Sequence, residues 1–569
     1  MKHKRGAHLA PWGIAALLLS LACQSTPTPI LDSPPPLPPT FTQSLEVPAA
    51  TPGLPTLLLP TPELPPSVRT PEGESQPIPL STPPPQRGGT LRVGGLSEPE
   101  WSNPLWADPF DATAFPCLIF ESLLALDPQD GHLLPRLAER WTLSPSGEVI
   151  TFTLRSGVRW HDGHPLSVED VAFTWRAAVS ATVPIPHAEH LAWVSEIEMP
   201  QERMVVVHLR QPDCAALTQL GLLPVLPAHL WQATEVTQPV VRPALMVGTG
   251  PFRLADWEAG EAVTLTRQVD HWAGEPYLEG WTYRRYETPE ALRAAARAGE
   301  IDLFPLDPQL NLPSDLEAEF RPLTLSTGES LFLLFNQERP ALSERDVRHA
   351  LSLALDREGI AAQAAGEAGL LTSILPSGHW SLPPDLRPPP YDPAEARRVL
   401  ASRGEPLSLA IKVQGGDRIR ENVALLVAQA YREVGIEARL EVVGWDLFIE
   451  DLFHHNFDVA LLSWPFPRDP DQSALWHSQE ITPGVGFNFG SYTSLQADEL
   501  LEAGRTAEGC SEAARAPLYW QLATLLAQDP PADFLLAPWQ VLALHRKVIG
   551  LASSPFAGLY WNVGQWSGG

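Results

Sequence analysis

The segment Leu137 to Trp175 constrains the fold more than any other stretch, because several independent local signals in it agree. A Ser-Pro-Ser-Gly turn is followed by alternating apolar and polar residues from Ile150 to Arg155, the pattern of a half-buried strand. Ser167 then has the side chain of a helix N-cap, with Asp170 in the position of a capping box. Apolar residues at helical spacing follow from Val168. The segment predicts a β-meander, with Val158 to Trp160 as a short returning strand, that leads into an amphipathic helix. Any α/β domain could contain this arrangement.

Length and charge narrow the classes of protein to which the chain can belong. With 569 residues it is too long for one hydrophobic core, so two or three domains are expected. The formal net charge of -28 argues against the basic face that binding to a phosphate backbone requires. We therefore expect no nucleic-acid partner.

The N-terminus has the pattern of a bacterial export signal. A short basic stretch precedes the apolar run Leu9 to Ala22, which is too short to favour a permanent membrane span. The run ends at Cys23 and resembles a lipoprotein signal, in which cleavage before the cysteine is coupled to lipidation of its thiol. Ser20 departs from the leucine that is usual three residues before that cysteine. We expect loss of residues 1–22 and an extracytoplasmic protein, periplasmic or on the outer face, that Cys23 anchors to the cell membrane; plain secretion is the alternative.

Residues 23–87 have the composition of a tether. They are crowded with Pro, Thr and Ser and contain little that could form a core, which predicts an extended, semi-rigid segment with polyproline character. Such a spacer after a lipid anchor would lift the folded domains off the membrane. A disordered tail without that use is the alternative.

Three cysteines remain beyond Cys23, and their number limits the disulfides. Cys117, Cys214 and Cys510 can form at most one pair, and the sequence does not select it. Cys117 lies in an apolar run and is expected to be a buried small hydrophobe. Since no CxxC or HExxH spacing occurs, we expect no metal and no cofactor.

Later segments predict an α/β organisation. The order of strand, helix and strand in Leu407–Val413, Arg418–Val434 and Ile436–Val443 is typical of an α/β unit. A further buried strand is predicted from Phe457 to Trp464. Because ligand sites in open α/β sheets favour the carboxyl ends of strands, the loop after that strand is the first candidate for a binding surface. Upstream, Phe115 to Leu126 predicts an apolar helix.

Landmarks along the whole chain, taken in their order, resemble those of one protein family. The opening segment supplies Leu137-Ala138-Glu139, Trp141, Phe152, Leu154-Arg155, Gly157-Val158, His161-Asp162-Gly163 and Glu169-Asp170-Val171. Later landmarks are Gly248-Thr249-Gly250-Pro251-Phe252, Asp270-His271-Trp272, Gly299-Glu300-Ile301-Asp302, Val347-Arg348, Ala350-Leu351, Ala354, Asp356-Arg357, Tyr391-Asp392-Pro393 and Gly435-Ile436. Together they resemble solute-binding family 5, the large solute-binding proteins of ABC importers of the dipeptide, oligopeptide and nickel type. The resemblance covers nearly the whole chain after the tether.

This resemblance implies a fold. The family has an α/β fold of the periplasmic-binding-protein-like class II, in which two lobes joined by a hinge close on a solute and an extra third domain is attached to one lobe. Lobe I is expected at 88–129, 246–329 and 537–569, the extra domain at 130–245, and lobe II at 330–536.

The family's ligand site carries over to this chain only in part. Trp464 matches the tryptophan that borders the ligand in peptide binders, where an aspartate shortly after it pairs with the ammonium group of the peptide. Here the third residue after Trp464 is Pro467, and Asp469 and Asp471 lie slightly displaced from the expected place. N-terminal amine recognition is therefore in doubt. Arg468 would favour an anionic or hydroxyl-rich group, with a solvated loop charge as the alternative.

Other candidates are less specific. Trp101, Asn103 and Tyr560 are further candidates for ligand contact, although each could simply pack within its lobe. The pair His454-His455 could suggest a metal, but it lies where a helix is predicted to end, and a solvated pair is the preferred interpretation.

The function implied by the resemblance is capture of a small solute, most often a peptide, for ATP-driven import. The partners would be the permease and ATPase subunits of an ABC importer, and we expect a monomer. A sensor without transport and a binder of a non-peptide solute such as an oligosaccharide stay open as alternatives. A tethered extracellular hydrolase is disfavoured, because neither Gly-x-Ser-x-Gly nor Ser-x-x-Lys occurs, so no catalytic residue is assigned.

Overall fold

The computed structural model describes residues 87–97, 103–179, 189–232, 236–238, 240–306, 312–364 and 368–568. The predicted signal peptide, most of the tether, Cys23 and Trp101 lie outside these residues. No helix in the described part of the chain combines the length and the apolar character that crossing a membrane requires.

The strands, in chain order, are β1 (Thr90–Gly95), β2 (Leu124–Leu126), β3 (Leu133–Pro135), β4 (Ala138–Leu143), β5 (Val149–Leu154), β6 (Val194–Gln201), β7 (Met204–Leu209), β8 (Phe252–Glu258), β9 (Ala262–Arg267), β10 (Gly280–Arg285), β11 (Leu303–Leu306), β12 (Phe320–Ser326), β13 (Glu329–Phe335), β14 (Ala368–Leu370), β15 (Ser408–Gln414), β16 (Glu437–Val443), β17 (Val459–Pro465), β18 (Ala532–His545), β19 (Val548–Ile549) and β20 (Ser567–Gly568).

The α-helices are α1 (Pro116–Ile119), α2 (Val168–Val179), α3 (Cys214–Leu222), α4 (Pro289–Arg297), α5 (Pro340–Ser343), α6 (Arg345–Leu353), α7 (Arg357–Ala364), α8 (Pro393–Ala401), α9 (Arg418–Glu433), α10 (Trp445–Phe453), α11 (Ser473–Trp476), α12 (Leu495–Arg505) and α13 (Glu512–Gln528). Short 3-10 helices occur at Glu189–Trp193, Pro243–Leu245, Ser478–Glu480, Glu508–Cys510 and Val563–Gln565.

One large mixed sheet runs through the molecule. Its strand order is β16-β15-β17-β13-β18-β11-β1-β10-β9-β8, and β12 and β14 also pair with β18. A separate four-stranded antiparallel sheet has the order β4-β5-β7-β6. Every residue of the central strand β13 is buried, as expected for a strand covered on both faces.

The long strand β18 belongs to two halves of the large sheet. Its first half pairs with β13 and β14, and its second half pairs with β12 and β11. The chain crosses between the same halves at Thr327, whose N–H and hydroxyl both donate to the carbonyl of Pro538, at 3.1 and 2.8 Å. We call Thr327, Gly328 and Pro538 the crossing. Two side-by-side strand crossings make a natural hinge.

We call the described residues of 87–326 and 539–568 lobe I, and those of 329–537 lobe II. A continuous apolar core in lobe I includes the four-stranded sheet and α2. Lobe II has one core on each side of its sheet half. The predicted boundaries between lobe I and lobe II, at 329/330 and 536/537, lie close to the crossing, and the division into three domains stays a prediction.

Local signals account for several of these elements. The strand predicted at Ile150 to Arg155 and the helix predicted from Val168 are β5 and α2. The returning strand expected at Val158 to Trp160 is wrong, since only an isolated bridge from Arg159 to Pro165 forms there. The carboxylate of Asp170 accepts from the N–H of Ser167 at 2.9 Å, which is one half of a capping box. The β15–α9–β16 unit is also confirmed, with β15 and β16 parallel. Asp417 caps the start of α9 by accepting from the N–H of Arg420, and Gly435 follows its end with φ of 96°.

The predicted helix from Phe115 to Leu126 is wrong. Only α1 is helical; Phe120 is already extended, and Leu124 pairs with Pro135 as part of β2. The segment is buried on all sides, so its apolar residues follow one another without a break. In such a run, periodicity does not distinguish a helix from a strand.

Cys214 and Cys510 form a disulfide. Cys117 is not bonded to another cysteine and is half-buried in α1. The prediction of at most one pair therefore holds, with the pair identified by the structure.

Candidate functional site

A cavity of about 780 Å³ lies between the two lobes. Lobe I contributes the segment around α1, the loop between β9 and β10 and the turn near the C-terminus. Lobe II contributes Phe466, Pro467, Arg468 and His379. The aromatic residues that line it are Trp106, Phe110, Phe120, Trp272, Tyr277, Phe466, Phe556, Tyr560 and Trp561. An apolar wall with a few charged groups is typical of a small-molecule site.

The loop predicted as a binding surface reaches this cavity at the crossing. The N–H of Phe466, the residue after β17, donates to the carbonyl of Gly328 at 2.8 Å. Gly328 has φ of 73°, and a Cβ there would lie 2.5 Å from the ring of Phe110. Only glycine permits both this backbone conformation and this close approach of lobe I to the crossing.

Asp469 lies in the same loop but points away from the cavity. Its Oδ1 accepts from Nη2 of Arg515 at 2.6 Å and from the N–H of Asp471 at 3.0 Å. Its Oδ2 accepts from Nη1 of Arg515 and from the hydroxyl of Thr218, both at 2.9 Å. Burial by itself would raise the pKa of Asp469, but the charge and hydrogen bonds of Arg515 hold that pKa below its usual value. The carboxylate is therefore engaged by protein groups.

Trp464 and Asp471 do not line the large cavity either. The ring of Trp464 packs edge-on against Phe487, with centroids 5.9 Å apart, and lines a second cavity of about 20 Å³. Asp471 accepts from the N–H of Ser473 at 3.1 Å at the start of α11. Of the four candidates in this loop, Arg468 lines the cavity.

The remaining candidates are divided between cavity and scaffold. Tyr560 lines the cavity, and its hydroxyl donates to the carbonyl of Ala112 at 2.5 Å. Asn103 is fully buried, and its amide nitrogen donates to the carbonyls of Val236 and Gln238 at 2.9 and 2.7 Å, so it fastens a loop of lobe I. Trp101 lies outside the described residues.

Glu121 is a charged cavity residue that sequence reasoning missed. Its carboxylate accepts from Nε1 of Trp272 at 2.7 Å, from the hydroxyl of Thr249 at 3.0 Å and from Nε of Arg136 at 3.2 Å. Burial would raise the pKa of Glu121, but the charge of Arg136 and the hydrogen bonds of His271 and Trp272 lower it to about 2. Glu121 is thus a fixed, ionised group in the cavity wall.

Asp108 is a second cavity acid that the sequence did not single out. It is 8% exposed, and Oδ1 accepts from the N–H of Phe110 at 3.0 Å. Burial raises the pKa of Asp108 well above its usual value, while that hydrogen bond and the charge of Arg468 act in the opposite direction. Asp108 belongs to lobe I and Arg468 to lobe II, so a buried carboxyl group and a guanidinium face the cavity from its two sides. The flanking Trp-Ala-Asp-Pro-Phe sequence, an acid among large apolar residues, was the available signal.

His271 and His379 line the cavity, and other histidines lie outside it. Among the described residues, Asp162, His164 and His229 have possible metal-ligand atoms within 4.8 Å of one another, but all three are exposed and Asp162 is hydrogen-bonded or ion-paired to both rings. The expectation of a solvated pair at His454-His455 is wrong for His455, which is 5% exposed. Its Nδ1 lies 2.7 Å from the carboxylate of Glu338, because a left-handed backbone after α10 turns the ring inward.

Comparison with known proteins gives a family match. Residues 132–482 match the model of the bacterial extracellular solute-binding proteins, family 5, middle region. The oligopeptide-binding protein AppA of Bacillus subtilis is 26% identical over 511 residues, which are 85% of this chain and 92% of that protein.

Two solved structures have the same fold. The structure of Bacillus subtilis AppA in complex with a nonapeptide aligns with a TM-score of 0.65 at 24% identity and covers 85% of this chain and 100% of that one. The structure of NikZ from Campylobacter jejuni in complex with Ni(L-His) aligns with a TM-score of 0.65 at 24% identity and covers 84% of this chain and 99% of that one.

Proposed function

Because this chain belongs to the bacterial extracellular solute-binding proteins of family 5, we propose that it captures a short peptide between its lobes for an ABC importer. The proposal rests above all on the cavity of about 780 Å³ between the lobes. That volume falls within the roughly 300–1,000 Å³ range of small-molecule sites, and its aromatic walls suit apolar side chains. The relative AppA is named as an oligopeptide-binding protein, which supports the peptide class.

We assign the solute's polar ends to two ionisable side chains that face the cavity from opposite lobes, Arg468 and Asp108. Arg468 would pair with a carboxylate of the solute, in the bidentate manner open to a guanidinium. Asp108 would pair with the ammonium group, since a cation beside this buried carboxyl would favour its ionised form. A peptide whose two ends contact two lobes binds the closed form better than the open form, and so shifts the population toward closure.

This assignment differs from the family pattern at one point. An aspartate that follows Trp464 would hold the ammonium group in the pattern of the peptide binders, but Asp469 is engaged by Arg515 and Thr218. We therefore propose Asp108 for that role. Tyr560 would contribute apolar contact, and Trp464 would act through the shape of the loop rather than by touching solute.

The direct test is a thermal-shift screen of the full chain against peptides of two to nine residues, free amino acids, oligosaccharides and Ni(L-His). A solute that binds only the folded state raises the apparent melting temperature. We expect peptides to give the largest shift, and Arg468→Ala to reduce it more for peptides with a free carboxyl end than for their C-terminal amides. A shift with sugars or Ni(L-His) and none with peptides would contradict the peptide class.

A non-peptide solute is the second candidate. The solved structure of NikZ holds Ni(L-His) on the same fold, so the fold does not restrict the solute to peptides. The same screen decides between the two candidates. Relatives of this chain are binding proteins, and we propose no catalytic activity for it.

We further propose that Cys23 is lipidated and that residues 24–87 hold the two lobes away from the membrane. Metabolic labelling with a lipid precursor tests the anchor, with Cys23→Ser as the matched control. Label in the wild-type protein and none in the variant is expected. Equal labelling of both proteins would remove the anchor from the proposal.

A further inference from the structure

The Cys214–Cys510 disulfide joins the two lobes. Cys214 is the first residue of α3, and α3 packs into the core of lobe I through Ala216, Leu217 and Leu220. Cys510 ends the 3-10 helix just before α13, which packs into a core of lobe II. The two cysteines are 296 residues apart in sequence, and neither belongs to the crossing. The lobes are therefore covalently linked at a second place.

Non-covalent contacts surround this link. Thr218 is one turn beyond Cys214 on the same face of α3, and its hydroxyl donates to Asp469 of lobe II at 2.9 Å. The N–H of Gly509 donates to the carbonyl of Pro145 at 3.3 Å. The carboxylate of Glu512 contacts Nδ1 of His132. One face of α3 and the adjoining turns thus form a built contact between the lobes, at which Cys214 and Cys510 are 1% and 6% exposed.

We propose that this disulfide is a covalent clasp that limits how far the lobes open and so slows solute exchange. The inference rests on the proposed function, in which solute enters by opening at the crossing. Two bodies joined at one point can rotate about many axes, whereas bodies joined at two separate points can rotate only about the line between them. Opening is then confined to one rotation, and α3 stays beside α13 throughout.

The clasp also keeps the hydrogen bond between Asp469 and Thr218 formed. In the clasped protein, the contact of Asp469 with Thr218 is held in register by a bond one helical turn away. Linking two surfaces covalently raises the effective concentration of the contact, so weak hydrogen bonds there remain formed. Without the disulfide, the same hydrogen bonds would break on each opening.

Opening can be measured on the full chain without any solute, by hydrogen exchange and mass spectrometry. The reporters are the backbone amides of the non-proline residues in 104–110 and 466–468, which line the cavity from the two lobes. Cys214→Ser/Cys510→Ser is expected to speed their exchange roughly tenfold, because loss of the disulfide lowers the effective concentration of one lobe at the surface of the other. Amides of the sheet β4-β5-β7-β6 should be unchanged, which separates lobe opening from unfolding.

Two further samples keep the test decisive. Thr218→Val removes a non-covalent contact and keeps the disulfide, so its cavity amides should exchange at nearly the wild-type rate. Wild-type protein reduced after purification should behave like the double variant, and it replaces that variant if the variant does not fold. Equal exchange of the cavity amides in oxidised protein, reduced protein and double variant would overturn the clasp.

Solute exchange is a separate readout. The probe is a pool of synthetic tri- to hexapeptides, and replacement of retained peptides by isotopically labelled copies is followed by mass spectrometry. The double variant is expected to replace them roughly tenfold faster than oxidised wild type. If no peptide is retained by either protein, the proposed peptide function fails, whereas the hydrogen-exchange result still decides whether the disulfide restricts opening.

Discussion

Replacing Asp469 by Asn discriminates most sharply between a structural and a ligand-binding role for that residue. Asp469 and Arg515 are 7% and 3% exposed, and four hydrogen bonds of 2.6 to 3.0 Å converge on the carboxylate. Asn keeps the shape but removes the charge, so the buried guanidinium of Arg515 loses its counter-ion. Breaking a buried pair in this way costs about 3–5 kcal/mol of unfolding free energy.

The assay is urea unfolding at pH 7, followed by circular dichroism. Asp469→Leu/Arg515→Met replaces both charges by apolar groups and should recover most of the loss, because no uncompensated charge remains. Glu395→Gln is the matched control: its pair with Arg398 is also bidentate but exposed, and no measurable change is expected. The reasoning is refuted if Asp469→Asn changes the unfolding free energy by less than about 0.5 kcal/mol and abolishes peptide binding.

The remaining predictions concern the cavity and two titrating groups. Arg468→Ala is expected to weaken the tightest solute at least about tenfold in calorimetric titration, while Glu395→Gln leaves its affinity unchanged. The pKa of Glu121 is lowered from 4.5 to about 2, so its stabilisation is present above about pH 4.5 and is lost as the pH falls through 2. Glu121→Gln should remove that part of the acid unfolding curve. The pKa of His161 is lowered from 6.5 to about 4 by burial, so between these pH values the unfolded chain binds a proton that the folded protein does not. Stability should fall as the pH drops from 6.5 to 4, and His161→Gln should flatten that slope in thermal unfolding.

The parts of the fold that sequence reasoning predicted are those determined by local chemistry. A capping carboxylate at Asp417 and a left-handed glycine at Gly435 mark the ends of α9, and an alternating pattern marks β5. The α/β fold of the periplasmic-binding-protein-like class II is confirmed by the family match and the solved structures. Local signals failed at Phe115 to Leu126, where burial on every side erased the periodicity on which a helix prediction depends.

The site was harder to predict because its groups come from distant parts of the chain. In the loop after β17, Arg468 lines the cavity, while the use of this loop as a binding surface stays a prediction. Asp108 and Arg468 are brought to one cavity only by the packing of two lobes. The partners of Asp469 are 46 and 251 residues away, and the sequence offered three ways to pair the cysteines. No periodicity or motif encodes such contacts.

Under the proposed assignment, the position of one acid after Trp464 determines which solutes the cavity can recognise. Phe466, Pro467 and Arg468 follow the end of β17 and line the cavity, while Asp469 turns toward α3 and α13. The acid expected to hold a solute's ammonium group instead joins α3 of lobe I to α13 of lobe II, and a cation takes its place at the cavity wall. A solute held by Arg468 must present an anionic group to lobe II. We expect a C-terminal amide to reduce affinity more than N-terminal acetylation does. Asp108, the acid proposed for the ammonium group, has its pKa raised by burial and lies across the cavity in lobe I.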